Sequence, residues 1–266
     1  ASSSSSSSMH LRDRFITLYG RKPVIEALMD PNIEVDKLVI ARGVRGELIQ
    51  EILRAADERG IKVKRCSADA VNRVSGNPRQ DQGVALDIEK PKEFLDEYVN
   101  EIISEGLPLR PIIICDNVRN ANNIGMIVRS ATAAGAHAII IPRKGCPEVG
   151  PMVVKASAGV ALRARMVHCN NVYEAARTLK ENGVQLIGLS GRPDAEDLYS
   201  LSEEMVSKGL CSGWILGNES DGISHDVEPL VDKWVKIPME GNVESLNVAT
   251  AASIVLFELL RRRRQQ

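Results

Sequence analysis

Short, largely apolar runs alternate with helix-like segments through the C-terminal part of the chain. The runs that predict strands are residues 112–115, 138–141, 184–189, 214–216 and 235–237. The segments that predict helices are residues 123–134, 151–158, 172–181 and 247–264. Apolar strands that alternate with helices are typical of a parallel sheet covered on both faces. This pattern predicts an α/β fold with a parallel sheet for residues 109–266.

The N-terminal part of the chain repeats this alternation on a smaller scale. The predicted strands are residues 35–41, 61–66 and 83–88, and the predicted helices are residues 23–28, 47–58 and 68–74. We therefore predict a separate domain at residues 18–88. The next stretch is charged and only partly helical, so we predict a linker at residues 89–108. Residues 1–17 include a serine run with no apolar segment after it, which predicts a disordered tail or the remnant of an expression tag.

Composition narrows the possible functions. The net charge is −1 and aromatic residues make up only 3% of the chain, so any affinity for nucleic acid must come from local patches of charge. The five cysteines are scattered without a C-x-x-C pair, which argues against disulfides and a zinc site and favours the reducing cytosol. No apolar run approaches the length of a membrane span. We predict a cytoplasmic protein with no metal and no membrane partner.

Three predicted strands run into loops rich in glycine, amide, carboxylate and hydroxyl groups. These stretches are residues 112–125, 215–222 and 237–248. Open α/β folds bind ligands where the carboxyl ends of their strands meet, so we expect one site there. The sequence contains no dinucleotide fingerprint, no P-loop and no G-x-S-x-G elbow. The remaining Asn, Arg, Glu and Ser side chains suit positioning and charge stabilisation rather than covalent catalysis.

The polar loops carry three motifs in a fixed order. They are Asn123-x-Gly125-x-x-x-x-Arg129-x-Ala131, then Leu216-Gly217-Asn218-Glu219-x-x-Gly222, then Ile237-Pro238-Met239 followed by Ser245-Leu246-Asn247-Val248. Together they resemble the signature motifs of the SpoU/TrmH family of RNA ribose 2′-O-methyltransferases. Residues 18–27 and 82–85 are similar to the two ends of the L30e-like substrate-binding domain in the rRNA-modifying branch of that family.

The resemblance implies a fold, a cofactor and an assembly. The implied fold is the α/β knot, or SPOUT fold, a parallel sheet with a deep trefoil knot, preceded here by a small L30e-like α/β domain. The implied methyl donor is S-adenosylmethionine, without a metal, and the implied assembly is a homodimer in which Arg129 reaches the partner's donor. The residues implied to bind the donor are Ser190, Gly191, Leu216, Gly217, Asn218, Ile237, Met239, Ser245, Leu246 and Asn247.

The resemblance also implies two further sets of functional residues. The catalytic set is Asn123, Arg129, Glu219, Ser245 and Asn247. The candidates for RNA binding in the N-terminal domain are Arg21, Arg42, Arg45, Arg73 and Arg79.

Simpler roles stay open for several of these residues. Asn123 and Ser245 each precede an apolar helical run and could be helix caps. Glu219 could order its own loop. Residues 261–264 could contact RNA, or could be cations that complement the C-terminal end of a helix dipole.

Methyl transfer from a sulfonium to a ribose hydroxyl needs alignment and stabilisation of the developing oxyanion, and no metal. We predict S-adenosylmethionine-dependent 2′-O-methylation of a ribose in structured RNA, and the N-terminal module favours ribosomal RNA. The alternatives are a tRNA 2′-O-methyltransferase and a non-catalytic RNA-binding or assembly protein that keeps the knot. For Arg129 we expect a bidentate grip on a phosphate rather than proton abstraction, because an arginine pKa lies above about 12.

Overall fold

The computed structural model describes residues 15–89, 93–202, 211–218, 220–241 and 243–265. The chain divides into two units, Ala1–Pro91 and Lys92–Gln266. Within the described ranges, no helix is both long and apolar enough to span a membrane.

The first unit is built on a four-stranded mixed sheet. Its strands are β1 (Phe15–Tyr19), β2 (Val35–Ala41), β3 (Val63–Cys66) and β4 (Val84–Glu89), and its helices are α1 (Arg21–Met29), α2 (Glu47–Glu58) and α3 (Ala68–Ser75). The strand order is β1-β4-β2-β3, with β4 antiparallel to both neighbours and β2 parallel to β3. Helix α2 buries Ile49, Ile52 and Ala56 on one face. The unit alternates strands and helices, and β1 includes three residues that the sequence assigned to a tail.

The second unit is built on an eight-stranded sheet. Its strands are β5 (Glu93–Phe94), β6 (Ile112–Cys115), β7 (Ala138–Pro142), β8 (Met166–Cys169), β9 (Gln185–Leu189), β10 (Glu196–Asp197), β11 (Ser212–Leu216) and β12 (Lys233–Lys236). Its helices are α4 (Leu95–Glu105), α5 (Ala121–Ala133), α6 (Pro151–Ala156), α7 (Val172–Glu181) and α8 (Val248–Arg263).

The strand order of this sheet is β10-β12-β9-β11-β6-β7-β8-β5, and each described pair is parallel. The predicted α/β fold with a parallel sheet is therefore confirmed. Strands β6 and β7 are buried along their whole length, which explains their continuous apolar sequence. Because all strands point the same way, the loops that follow β6, β9, β11 and β12 leave the sheet at one edge.

Part of the predicted linker belongs to the second unit. Strand β5 pairs with β8 at the edge of the large sheet. Helix α4 buries Leu95, Tyr98, Val99 and Ile102 in the core of that unit. The prediction of a linker at residues 89–108 is thus wrong for its described helical part. The charged residues lie on the outer face of α4 and alternate in sequence with the apolar residues of its inner face, so the stretch looks polar throughout.

Candidate active site

A cavity of about 340 Å³ lies at the carboxyl edge of the large sheet. Three segments form its walls: the end of β9, the end of β11 and the irregular stretch between β12 and α8. The lining residues are Leu189, Ser190, Gly191, Leu216, Gly217, Asn218, Ser220, Asp221, Gly222, Ile237, Met239, Glu244, Ser245, Leu246, Val248 and Ala251. The sequence singles out the polar loops after β6, β11 and β12. Of these, the loops after β11 and β12 line the cavity together with the loop after β9, and the loop after β6 lies beside it.

The segment after β11 is a tight turn. The N–H of Asn218 donates to the carbonyl of Gly222 over 2.8 Å, and the N–H of Gly222 donates back to the carbonyl of Asn218 over 2.9 Å. The Asn218 side-chain oxygen accepts the N–H of Ser220 at 2.8 Å. A Cβ on Gly217 would lie only 2.4 Å from the Gly222 carbonyl carbon. Glycine at position 217 is thus required by the close approach of two backbone segments.

The other two walls come from β9 and from residues 237–247. The N–H of Ser190 donates to the carbonyl of Val235 over 3.0 Å, which ties the loop after β9 to β12. The Arg192 guanidinium stacks on the Trp234 ring at 4.5 Å and holds the next residues of that loop. Residues 237–241 and 243–247 form neither helix nor strand. The backbone N–H and C=O groups of such a segment are free to bond a ligand, whereas those inside a sheet already bond the neighbouring strands.

The lining combines apolar walls with hydroxyl, amide and carboxylate groups. The apolar side chains are Leu189, Leu216, Ile237, Met239, Leu246, Val248 and Ala251. The carboxylates are Asp221 and Glu244, and both residues are exposed. This arrangement suits a ligand with an apolar ring, hydroxyl groups and a positive charge.

The structure places in this cavity all the residues implied to bind the methyl donor, except Asn247. The Asn247 side-chain oxygen caps α8 by accepting the N–H groups of Ala249 at 3.0 Å and Thr250 at 3.3 Å. Its side-chain nitrogen donates to the Asn123 side-chain oxygen over 3.1 Å. Asn247 therefore links the start of α8 to the start of α5, next to the cavity-lining Leu246 and Val248.

Both capping alternatives are wrong. Asn120 caps α5 through its side-chain oxygen, which accepts the N–H of Asn122 at 2.9 Å, and Asn247 rather than Ser245 caps α8. Asn123 is instead buried in the first turn of α5, with 6% of its surface exposed. Gly125 of the same motif has a packing role, because a Cβ there would lie 2.5 Å from Cβ of Ala156 in α6.

The remaining catalytic candidates are dispersed. Arg129 is exposed on α5 and does not line the cavity, as far as the described residues define it. Ser245 lines the cavity. Glu219 lies outside the described residues. Sequence reasoning did not select seven lining residues, namely Leu189, Ser220, Asp221, Gly222, Glu244, Val248 and Ala251. Among their side chains, those of Ser220, Asp221 and Glu244 carried a recognisable signal, a hydroxyl or carboxylate inside a polar loop.

Three cysteines lie near the same edge of the sheet and are not nucleophiles. Cys115 ends β6, Cys169 ends β8, and the Cys146 thiol donates to the Cys115 carbonyl at 3.7 Å. Burial raises the pKa of Cys146 to about 11 and that of Cys169 to about 12. These thiols are therefore protonated near neutral pH and unreactive. Among the described side chains, no group of three His, Cys, Asp or Glu residues is placed to hold a metal ion.

The arginines predicted to bind RNA belong to the first unit, where most of them share one end of the small sheet. Arg21 begins α1, and its N–H donates to the Gln82 side chain over 3.1 Å. Arg42 and Arg45 are exposed on the loop after β2. This loop contacts the loop before β4: a Cβ on Gly83 would lie 2.6 Å from the Val44 side chain. The exposed Arg79 precedes that second loop, whereas Arg73 lies on α3.

The C-terminal arginines have structural partners. Arg261 and Arg262 both pair with the Glu258 carboxylate. Arg262 also donates to the carbonyls of Leu198, Tyr199 and Leu201, and Arg263 donates to the carbonyl of Ala134 at 2.6 Å. For Arg262 and Arg263 the contacts favour a role in holding α8, not in RNA contact, whereas the half-exposed Arg261 pairs within its own helix.

Comparison with known proteins identifies the family of this chain. Residues 110–257 match the sequence model of the SpoU rRNA methylase family, and residues 17–94 match that of the RNA 2′-O ribose methyltransferase substrate-binding domain. The chain belongs to the SpoU family. The 23S rRNA (guanosine-2′-O-)-methyltransferase RlmB of Xanthomonas axonopodis pv. citri is 33% identical to it over 246 residues, which are 92% of this chain and 96% of the relative.

Solved structures of SpoU proteins share the fold of this chain. AviRb from Streptomyces viridochromogenes, solved in complex with the cofactor AdoMet, has a TM-score of 0.73 and 24% identity, and the match covers 96% of this chain and 93% of AviRb. An AdoMet-bound rRNA methyltransferase from Sinorhizobium meliloti has a TM-score of 0.73 and 23% identity, with 94% and 88% coverage. At this identity the likeness establishes the fold alone.

Proposed function

We propose that this SpoU protein transfers the methyl group of S-adenosylmethionine to a ribose 2′-hydroxyl of ribosomal RNA. The observation that carries the proposal is the convergence of the loops after β9, β11 and β12 on one cavity. Membership of the SpoU family and the 23S rRNA methyltransferase name of the Xanthomonas relative support the reaction and the substrate class. The same chemistry on tRNA is the alternative substrate, and a non-catalytic RNA-binding or assembly protein is the alternative function.

The cavity residues fit S-adenosylmethionine. The walls formed by Leu216, Ile237 and Leu246 offer an apolar slot for an adenine ring. The carboxylates of Asp221 and Glu244 suit ribose hydroxyls and an ammonium group. When bound, the donor supplies a methyl group on a positively charged sulfur. The protein then has to hold that group in line with the ribose oxygen and keep water away.

A knot and a homodimer complete the proposal. In the knot, the stretch between β12 and α8 passes the loops that follow β9 and β11, which explains why its described residues, 237–241 and 243–247, are irregular. Helix α5 packs against α6 and α8, and each of the three carries an exposed large apolar residue: Met126 is 46% exposed, Met152 is 54% exposed and Phe257 is 48% exposed. Apolar side chains of this size favour a protein partner.

In the proposed dimer, Arg129 of one subunit acts at the cavity of its partner. Arg129 lies three residues after Met126, so both are on one face of α5. A second copy on this face brings Arg129 toward the partner's cavity, where its guanidinium grips the phosphate beside the target ribose and favours the developing oxyanion. Asn123, Ser245 and Asn247, together with Glu219, hold the reacting groups in place.

The two units divide the work. The first unit, proposed as an L30e-like domain over residues 18–88, binds RNA through Arg21, Arg42, Arg45, Arg73 and Arg79. The second unit is the catalytic domain, and it extends beyond the predicted residues 109–266 to include β5 and α4. The described cysteines are free thiols, which is consistent with action in the cytosol.

The test is methyl transfer from labelled S-adenosylmethionine to total rRNA and, separately, to total tRNA, followed by mapping of the modified nucleotide. We expect 2′-O-methylation of rRNA. Arg129→Lys should lose about 99% of the activity, because lysine keeps the charge and not the bidentate geometry. Arg177→Lys, which changes an exposed arginine paired with Glu181 on α7, is the matched control and should stay active. Donor binding without transfer to any RNA would favour the non-catalytic alternative.

A further inference from the structure

A buried carboxylate lies directly beside the proposed donor cavity. Asp116 follows β6 and has 0% of its surface exposed. Its N–H donates to the carbonyl of Leu216 over 2.8 Å. Leu216 is the last residue of β11, the strand next to β6, and begins the turn that lines the cavity. Asp116 is therefore one strand away from the cavity and does not line it.

The Asp116 carboxylate binds the far end of that turn. Its Oδ2 accepts the N–H of Ser224 at 2.6 Å, and its Oδ1 accepts the Ser224 hydroxyl at 2.8 Å. The Asn117 side-chain nitrogen donates to Oδ1 at 3.0 Å. Burial raises the pKa of Asp116, and the bonds from Ser224 oppose this shift. A buried carboxylate is costly without such donors, so its contacts to residue 224 are specific.

Asn117 connects the two ends of the turn. Its side-chain nitrogen also donates to the Ser224 hydroxyl over 2.8 Å, and its carbonyl accepts the Asn218 side chain at 2.9 Å. Its backbone has a φ of 54°, the left-handed conformation that asparagine tolerates better than most residues. Asn218 begins the turn and Ser224 lies two residues beyond its last residue, Gly222. The dipeptide Asp116-Asn117 therefore holds the chain on both sides of the turn.

We propose that Asp116, with Asn117, is a positioning residue for the methyl-donor cavity, which it shapes by pinning Ser224 and Asn218 on either side of the 218–222 turn. The inference rests on the proposed function, because it assigns the turn to donor binding. Asp116 touches neither the donor nor the RNA. Its effect is to present Gly217, Asn218 and Asp221 to the cavity in one geometry before the donor arrives, which removes the ordering cost from binding.

Two conservative variants test this role. Ser224→Ala removes the hydroxyl that bonds both Asp116 and Asn117. Asp116→Asn keeps the size of the side chain and places an NH₂ group where one of the donors now points. Ser224→Thr keeps the hydroxyl and should restore binding. Ser212→Ala is the matched control, because it removes a buried hydroxyl from the opposite end of β11, where Ser212 accepts the Trp214 indole N–H at 3.1 Å.

The first measurement is the Kd for S-adenosylmethionine by calorimetry. We expect about tenfold weaker binding for Ser224→Ala and a larger loss for Asp116→Asn, with the double variant less than additive because both changes break one network. Ser224→Thr should bind within about twofold of the wild type. Ser212→Ala should lower the melting temperature and leave the Kd unchanged. In steady-state kinetics, the KM for the donor should rise more than kcat falls.

The second measurement needs no ligand. Hydrogen exchange of the Ser224 amide should be faster in Asp116→Asn than in the wild type, because that amide bonds the carboxylate.

Each outcome decides one proposal. If the wild type binds S-adenosylmethionine and the two variants bind it equally well, the positioning role is overturned while the proposed function stands. The same holds if Ser212→Ala weakens binding as much as Ser224→Ala, since stability alone would then explain the loss. If the wild type binds no S-adenosylmethionine, both the proposed function and this inference are overturned.

Discussion

Replacing Gly217 by alanine tests whether the turn after β11 shapes the cavity. A Cβ at this position would lie 2.4 Å from the carbonyl carbon of Gly222, 2.5 Å from its oxygen and 2.6 Å from the nitrogen of Ile223. These are backbone atoms, so no side chain can rotate away. Ordinary contact needs a separation about 1 Å greater, and the chain at Gly222 has to move by that amount.

Such a shift disrupts the two hydrogen bonds between Asn218 and Gly222, which are 2.8 and 2.9 Å long. Overpacking costs about 1–3 kcal/mol and each lost backbone bond costs about 0.5–1.5 kcal/mol. We therefore expect the free energy of unfolding to fall by about 3 kcal/mol, which lowers the melting temperature by about 9 °C for a unit of this size. The Kd for S-adenosylmethionine should rise about a hundredfold, because the displaced residues line the cavity.

The assay combines thermal unfolding with calorimetric titration of the donor. Gly241→Ala is the control: that glycine has a φ of 71° and open space around it, so alanine should cost about 1 kcal/mol of strain without a clash. Gly241 does not line the cavity, and its variant should bind the donor normally. A Gly217→Ala protein that melts and binds like the wild type would refute the argument from close approach.

Three further substitutions test contacts that hold each unit together. Burial, followed by the nearby Arg165, lowers the pKa of His137. The unfolded chain, with a histidine pKa of about 6.5, then binds this proton more readily than the folded protein, so stability should decrease as the pH falls through about 6.5. Urea denaturation at about pH 7.5 and about pH 5.5 should show a smaller decrease for His137→Gln than for the wild type, and equal decreases would contradict the assignment. Arg59→Lys should cost the first unit about 1–2 kcal/mol in thermal unfolding, because the guanidinium donates to four carbonyl oxygens at the end of α1 and in the residues just after it. An ammonium cannot reach all four, and an unchanged melting temperature would contradict this. Arg262→Lys should lower the melting temperature, because this guanidinium donates to the carbonyls of the segment after β10. The RNA affinity measured by filter binding should stay the same. An unchanged melting temperature with weaker RNA binding would instead place Arg262 in RNA contact.

Local pattern predicted much of the secondary structure. Strand β2 and helix α2 have the predicted bounds, because β2 ends in the apolar run Leu38-Val39-Ile40-Ala41 and α2 has a sharply amphipathic sequence. Strand β8 was not predicted. Its four residues include His168 and show no clear period, and its extended backbone depends on pairing with β5 and β7 on either side. Helix α4 was read as a linker because the side chains that it buries are separated by charged ones in the sequence.

The residues of the candidate site could also be predicted only in part from the sequence. The ordered motifs selected Gly217, Asn218 and Leu246, and the resemblance that they carry implied Ser190 and Gly191. The structure places all five around one cavity. The identity of the helix caps could not be read from the motifs. Asn123 and Asn120 are both asparagines close to the start of α5, and only the backbone path decides which side chain reaches a free N–H group.

By itself the sequence determined the alternation of strands and helices, the motif positions and the family, because these depend on residues near each other in the chain or on their order along it. Only the tertiary structure decided which of these residues meet. The Asp116 carboxylate bonds Ser224 across 108 positions of sequence, and the reason that Gly217 must be glycine is the backbone of Gly222 folded against it. Such contacts arise because parallel strands β6, β9, β11 and β12 bring their ends to one edge, where distance along the chain no longer determines distance in space.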